Sequence, residues 1–253
     1  IGDALPTDHA AGRRQRVPVS GRATVDIGRE SVVGFLAQLV DKGVGLVVFV
    51  YFANFFPPDQ FGGAYVVIGA ATVLKTVPDG LNLAVRKRVS EQTDAYPEYA
   101  TIGGAWLLAY TVALGLVVAA LTRFVSVPYE SLAFAGVAFV GGRSANALIK
   151  RLYAGIGSPG FENVVDVIDG VLTAALRFGL ILGLDMGAAG LLYGPALSGG
   201  VVCVGLYTAR FDRGLAVPSL DHVRSLVSFA RYSVRNVGYN TLYHNAGVLL
   251  IGG

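Results

Sequence analysis

SVVGFLAQLVDKGVGLVVFVYFANFF, residues 31–56, is the stretch that decides the fold, because its 26 residues include only two charges, Asp41 and Lys42. A helix of that length, at 1.5 Å per residue, is about 39 Å long and can cross a bilayer with some tilt. After the turn PPDQ at 57–60, a second apolar segment follows at 62–85. The pattern predicts a transmembrane hairpin that carries charged residues at membrane depth.

The composition places the whole chain among polytopic membrane proteins. Of its 253 residues, 53% are hydrophobic and 15% are charged, and the mean hydropathy is +0.58; a soluble domain has about 25% charged residues. The 34 glycines fit this class, since transmembrane helices use small residues to pack closely. The net charge of +3 gives no reason to expect a nucleic-acid partner, and a single cysteine, Cys203, cannot form a disulfide within the chain.

Further apolar segments follow the hairpin, and polar turns separate them. They cover 99–121, 129–149, 161–184 and 188–209, and a seventh helix is expected to begin at Pro218 and Ser219, where serine can cap it. The glycines and Arg143 at 141–144 interrupt the apolar pattern of the fourth segment, and Lys150 and Arg151 are expected to end it. The order predicts an all-α polytopic membrane protein with a six-helix transmembrane bundle and the start of a seventh span.

The domain boundaries follow from the same segments. We expect a polar cytoplasmic tail at 1–30, a six-helix transmembrane lobe at 31–210, and a cytoplasmic connection with the start of span seven at 211–253. Because the chain starts at Ile1 rather than Met and stops inside an apolar segment, we expect a C-terminal lobe to be missing from it.

Basic residues are concentrated on one predicted side of the membrane. That side holds Arg13, Arg14, Arg16, Arg22 and Arg29 in the tail, the three residues 86–88, Lys150 and Arg151, and Arg210, Arg213 and Arg224. The turns on the opposite side hold only Arg123. Because cytoplasmic loops carry an excess of lysine and arginine, the pattern predicts a multi-pass protein of the plasma membrane with a cytoplasmic N-terminus.

Polar residues within four of the spans fall on one face of each helix, at about 100° per residue. These faces hold Gln38, Asp41, Lys42 and Gly45; Thr72, Lys75, Thr76, Asp79 and Asn82; Arg143, Asn146 and Lys150; and Asn163, Asp166, Asp169, Thr173 and Arg177. An ionised group that faces lipid at mid-depth costs at least about 2.5–3.5 kcal/mol, so such faces are expected to meet protein or water. The hairpin is therefore predicted to form one wall of a polar cavity.

The charges at membrane depth allow two compatible readings. The bases Lys42, Lys75, Arg143 and Arg177 are candidate ligands for an anionic substrate, and the acids Asp41, Asp79, Asp166 and Asp169 are candidates for ion binding or charge pairing. Internal pairing is one reading, and Lys75 and Asp79 have the i,i+4 spacing of a helix-surface ion pair. A hydrated pathway for a charged substrate or a driving ion, Na⁺ or H⁺, is the other.

Enzyme chemistry finds little support in the sequence. The histidines, at 9, 222 and 244, have no metal-ligand spacing, and no glycine-rich phosphate loop follows a strand. The pair formed by Asp166 and Asp169 is better explained as a satisfied polar face than as a catalytic or metal site. We therefore expect no enzyme activity, no metal and no cofactor beyond a driving ion.

Short motifs at the ends of the predicted spans follow a definite order. They are R-x-S-V-x-G-F at 29–35, P-x-x-F-G-x-Y at 58–65 with one inserted glycine, Gly80-Leu81, Ala84, Arg86, Arg88 and Ser90-Glu91, and LVSFARYS at 226–233. This order resembles the N-terminal half of the polysaccharide- and oligosaccharide-lipid flippases of the MOP (MATE-like) superfamily. The chain departs from that pattern at His244-Asn245, where the family often has an acid, which puts an ion or substrate role for span seven in doubt.

The resemblance implies two six-helix bundles, about twelve to fourteen spans in all, related as parallel repeats with the site at their interface. It implies transport of lipid-diphosphate-linked oligosaccharides from the cytoplasmic to the outer leaflet. Asp41, Lys42 and Lys75 lie at depths comparable to the cavity charges of the related lipid flippases. We expect the bilayer and a lipid-linked oligosaccharide as partners, and a monomeric protein.

Two alternatives stay open at this point. A multidrug or small-cation antiporter of the same superfamily would use Asp41, Asp166 and Asp169 to bind Na⁺ or H⁺. A membrane-embedded glycan polymerase or ligase is the other alternative, and the absence of a long extramembrane loop between the predicted spans argues against it.

Overall fold

A computed structural model describes residues 27–124, 130–157, 161–211 and 214–251. Within these ranges the side chains of residues 27–34, 37, 41, 210 and 240–251 are outside the description. The described ranges are helical and contain no strand, so the predicted all-α class is confirmed.

Eight α-helices follow one another along the described chain. They are α1 (Ile27–Phe55), α2 (Pro58–Leu74), α3 (Thr76–Glu91), α4 (Tyr96–Phe124), α5 (Glu130–Gly155), α6 (Phe161–Phe178), α7 (Gly190–Arg210) and α8 (Leu220–Ile251). A π-helical turn, Gly179–Gly183, extends α6. The predicted tail at 1–30 lies outside the description up to residue 26, and the last four residues of that tail, 27–30, belong to α1.

Four helical segments in the described ranges are long and apolar enough to cross a membrane. They are Gln38–Phe55, Thr93–Phe124, Glu130–Gly155 and Gly187–Ala209, and the bent pair α2–α3 makes a fifth if it counts as one span. The predicted count of six spans and a seventh therefore stays a prediction. Helix α6 carries Glu162, Asp166, Asp169 and Arg177, and α8 begins with a charged segment, so composition alone does not mark either as a span.

The predicted single helix over 62–85 is wrong in one respect, because the segment is broken at Lys75 and the two halves differ in direction by 41°. Pro78 explains the break: it has no backbone N–H to donate to the carbonyl of Leu74, and its ring clashes with that carbonyl in a straight helix. The hydroxyl of Tyr110 on α4 donates a hydrogen bond to this Leu74 carbonyl at 2.8 Å. The bend is thus fixed from a neighbouring helix.

Two other boundaries can be compared with the sequence. Ser219 caps α8, as predicted, because its hydroxyl accepts a hydrogen bond from the backbone N–H of His222 at 3.3 Å. The predicted interruption and end of the fourth span are wrong, since α5 runs without a break through its glycines and through Lys150 to Gly155. Glycine lowers helix propensity by only about 1 kcal/mol, which helix packing can offset.

Helices α5 and α7 cross at very short range, and this crossing organises the bundle. A Cβ atom added at Gly142 would overlap the carbonyl oxygen of Ala196, and one added at Gly199 would overlap the carbonyl oxygen of Gly142. Small residues allow such close approach between membrane helices. Around the crossing lie two apolar cores, one against α1 and α2, centred on Phe52 and Leu192, and one against α3, α4 and the start of α8.

Candidate functional site

A cavity of about 490 Å³ lies between five helices. Its wall is formed by α1 (Lys42, Val44, Gly45, Leu46, Val48, Phe49), α2 (Tyr65, Ile68), α5 (Phe139, Arg143), α6 (Asp169, Gly170, Thr173, Ala174, Arg177) and α7 (Pro195). The sequence predicts a polar cavity from the stripes on spans one, two, four and five; residues of the stripes on spans one, four and five line this wall, whereas α2 contributes Tyr65 and Ile68 and no residue of its predicted stripe. Its size falls within the range of small-molecule pockets, about 300–1,000 Å³.

Three of the four predicted basic ligands, Lys42, Arg143 and Arg177, line this cavity. Asp169 is the only acidic residue among the described side chains of its wall. The described lining therefore carries an excess of positive charge. The side chain of Asp41, next to Lys42, lies outside the description, so its predicted place in the site stays a prediction.

Asp169 is held from two sides. One carboxylate oxygen forms an ion pair with the guanidinium of Arg143 on α5, and the other accepts a hydrogen bond from the hydroxyl of Ser198 on α7 at 2.7 Å. The Asp169 side chain is only 4% exposed, whereas that of Arg143 is 35% exposed. The carboxylate is thus satisfied within the bundle, and the guanidinium reaches from it to the cavity.

Arg177 is fixed through its stem and one nitrogen. The Nε group donates a hydrogen bond to the backbone carbonyl of Leu191 at 3.1 Å, and the stem packs against Gly194 of α7, where a Cβ atom would lie 2.6 Å from Cγ. Among the described side chains, no carboxylate lies within the 4.0 Å of an ion pair with Arg177. Its remaining N–H groups are therefore available for a ligand or water in the cavity.

The other predicted charges lie away from this wall. Lys75 forms an ion pair with Asp79, as their spacing predicts, and the pair stands at the break between α2 and α3 rather than beside Lys42. Asp166 on α6 accepts a hydrogen bond from Lys150 on α5 at 2.5 Å. Lys75 and Asp166 thus each have a partner outside the cavity lining.

Three ion pairs between α5 and α6 form a ladder, and its first rung is Arg143 with Asp169. The second rung is Lys150 with Asp166, and the third is Arg151 with Glu162 at 3.5 Å. Residue numbers rise along α5 as they fall along α6, as expected for antiparallel helices. The ladder accounts for most charged residues of α6, which explains how a helix with this composition lies inside an apolar bundle.

Two aromatic lining residues, Phe49 and Tyr65, are not among the predicted site residues, and Tyr65 enters the sequence analysis only as the last residue of the motif at 58–65. Their rings meet edge to face with centroids 5.3 Å apart. Helical spacing could have indicated Phe49, because it follows Lys42 by seven residues and so lies on the same face of α1. Thr173 belongs to the predicted stripe and lines the cavity, and its hydroxyl oxygen is buried with no hydrogen-bond partner among the described residues.

A sequence model of the family described as "Polysaccharide biosynthesis protein" matches residues 27–253. The chain belongs to this polysaccharide biosynthesis protein family. The match covers more than half of the chain, and it confirms the resemblance that the short motifs indicate. No curated protein matches the chain.

The fold of this polysaccharide biosynthesis protein is similar to that of solved transporter structures. A MOP superfamily transporter from Pyrococcus furiosus, described as having a binding pocket of reverse polarity, is 16% identical, with a TM-score of 0.61 over 85% of this chain and 52% of its own. A multidrug resistance MATE family transporter in an outward-facing conformation is 15% identical, with a TM-score of 0.62 over the same shares of the two chains. The chain therefore has the fold of MOP superfamily transporters and spans about half the length of these two.

Proposed function

We propose that this chain forms one lobe of a membrane flippase that moves a lipid-phosphate- or lipid-diphosphate-linked oligosaccharide from the cytoplasmic to the outer leaflet. The observation that carries the proposal is the excess of positive charge among the described residues that line the cavity. Lys42, Arg143 and Arg177 line it, and the one described carboxylate of its wall, on Asp169, already has partners.

A phosphate-bearing headgroup is the ligand class that fits such a lining. Charge-assisted hydrogen bonds are roughly twice as strong as neutral ones, and arginine can hold two phosphate oxygens at once. Arg143 already pairs with Asp169, whereas the guanidinium of Arg177 has no carboxylate partner among the described side chains, and such a cation at membrane depth is costly unless an anion or water meets it. The family match supports a role in polysaccharide production, for which a lipid-linked glycan is the corresponding cargo.

The fold does not choose between a flippase and a cation-driven antiporter, because a multidrug MATE transporter has the same fold. The cavity lining favours the flippase. An organic cation or Na⁺ would need an uncompensated carboxylate, and Asp169 is engaged by Arg143 and Ser198. We therefore keep the antiporter, with Na⁺ or H⁺ bound near Asp41, as the second candidate, to be separated by experiment.

Complementation of a flippase-deficient strain tests the proposal with the intact protein. Arg177→Gln and Lys42→Gln should each reduce glycan export strongly, since losing one charge-assisted contact costs about 1.5–3 kcal/mol. Arg177→Lys should retain part of the activity. The matched control is Lys87→Gln, because Lys87 is an exposed residue of α3 that pairs with Glu91 and does not line the cavity.

The control should export at the level of the unaltered protein, and all variants should reach the membrane in equal amounts. Undiminished export by both cavity variants would overturn the proposal. Efflux of an organic cation by the unaltered protein, improved by Arg177→Gln, would establish the antiporter instead.

A further inference from the structure

An aromatic surface adjoins the cationic part of the cavity. Phe49 on α1 lies edge-on to Phe61 and Tyr65 on α2, with ring centroids 5.4 and 5.3 Å apart. Phe52, on the next turn of α1, is fully buried in the core, whereas Phe49 is 42% exposed. Phe49 thus lines the cavity with part of its side chain unburied, and the two α2 rings pack against it.

Helix α1 aligns this ring with a cation. Lys42, Gly45 and Phe49 all line the cavity and fall on one face of the helix. Lys42 and Phe49 are seven residues apart, which is about 10 Å along the axis. Gly45 between them has no side chain, and a Cβ atom added there would meet nothing within 4 Å. The stripe thus offers a cation, a gap and a ring in a line.

This order matches the chemistry of a sugar joined to a phosphate. A pyranose ring has a face of C–H groups that is apolar and weakly positive, and it stacks on the negative face of an aromatic ring. The phosphate that follows the sugar is anionic and meets the cation. A hydrocarbon chain of a lipid, by contrast, would not require an aromatic ring at this position, since any apolar side chain could contact it.

We propose that Phe49, supported by Tyr65, is a stacking platform for the first sugar of the lipid-linked substrate and determines its selection. The inference rests on the proposed function and adds to it. Lys42, Arg143 and Arg177 bind the phosphate whether or not a sugar is attached. Phe49 distinguishes the glycosylated lipid from the bare lipid phosphate, so the transporter favours the loaded carrier.

The test measures the affinity of the purified intact protein for two probes, a polyprenyl diphosphate without sugar and the same lipid carrying one hexose. The unaltered protein should bind the hexose lipid more tightly. Phe49→Leu keeps an apolar side chain but removes the ring, and it should weaken binding of the hexose lipid about tenfold while changing the bare lipid by less than about twofold. Phe49→Tyr, which keeps a ring, should bind both lipids normally.

Two further variants separate the possible failures. Phe55→Leu removes a half-exposed ring of α1 that does not line the cavity, and it should change neither affinity. Lys42→Gln should weaken both lipids by the same factor. Equal binding of the two lipids by the unaltered protein, or equal losses in Phe49→Leu, would overturn the sugar platform alone. Binding of neither lipid by the unaltered protein would overturn the proposed function and the platform with it.

Discussion

Arg143 on α5 and Asp169 on α6 form an ion pair in which the carboxylate is buried and the guanidinium reaches the cavity. The two side chains connect helices on either side of the site, and Ser198 of α7 completes the shell of Asp169. The pair therefore has two roles that can be measured separately, stability of the bundle and the charge of the cavity.

Removing one partner of this pair should destabilise the fold. In Arg143→Gln the buried carboxylate of Asp169 loses its counter-charge, which we expect to cost about 2 kcal/mol, below the 3–5 kcal/mol of fully buried pairs because Arg143 is partly hydrated. Thermal unfolding in detergent micelles measures the effect. The matched control is Arg151→Gln, whose 3.5 Å pair with Glu162 is more exposed and should contribute less than about 1 kcal/mol. Equal unfolding temperatures for the two variants would contradict this ranking.

The crossing of α5 and α7 should be intolerant of a single added methyl group. In Gly142→Ala the new Cβ atom would overlap the backbone of Ala196, which cannot move as a flexible side chain can. We expect the free energy of unfolding to fall by about 1–3 kcal/mol, even though alanine raises helix propensity. Gly200→Ala is the matched control, because a Cβ atom on this α7 glycine would meet nothing within 4 Å. The control should leave the unfolding temperature unchanged or raise it; a similar drop in both variants would show that the crossing is not this close.

Helical periodicity alone predicts the polar faces, and those of α1, α5 and α6 contribute residues to the cavity wall, whereas the predicted face at 72–82 contributes none. The stripe of Asp169, Thr173 and Arg177 lines the cavity as predicted, and so do Lys42 and Arg143. The partners of these residues could not be predicted in the same way. Which α5 base meets which α6 acid depends on how the two helices are placed against α7, with α5 in close contact at Gly142 and α6 at Gly194.

The departure at Lys75 has a local cause. A continuous helix over 62–85 would keep its charged face in register along its whole length, and the predicted cavity wall includes that face. Pro78 breaks the helix at Lys75, and the residue pairs with Asp79 at the bend. Pro78 is present in the sequence, but the sequence does not say whether it lies in the first turn of a new helix or inside a kinked span, because the same residues surround it in both cases.

Tyr110 should stabilise the bend between α2 and α3. Its hydroxyl donates to the Leu74 carbonyl that Pro78 leaves without a helical partner, at 2.8 Å. Tyr110→Phe removes this bond while keeping the ring, and we expect a loss of about 1 kcal/mol in thermal unfolding. Tyr232→Phe on the exposed side of α8 is the control, since that side chain is 75% exposed. An unchanged unfolding temperature for Tyr110→Phe would show that the freed carbonyl needs no protein donor.

The predicted orientation in the membrane can be tested at exposed positions of the described chain. Gln60 lies in the first turn of α2, Gln92 follows α3 and Gly214 precedes α8, and all three are exposed. The excess of basic residues predicts that Gln60 faces the outside and that Gln92 and Gly214 face the cytoplasm. The single native cysteine, Cys203, is first replaced by alanine so that each introduced cysteine reports alone.

Labelling with a membrane-impermeant maleimide then decides the orientation. Gln60→Cys should react in intact cells, whereas Gln92→Cys and Gly214→Cys should react only after the membrane is permeabilised. Gln60 and Gln92 lie at opposite ends of the bent pair α2–α3, so their labelling also tests whether this pair crosses the membrane once. If both positions react from the outside, the pair is a re-entrant segment rather than a span. If the pattern is reversed at all three positions, the cytoplasmic N-terminus that the basic residues predict is excluded.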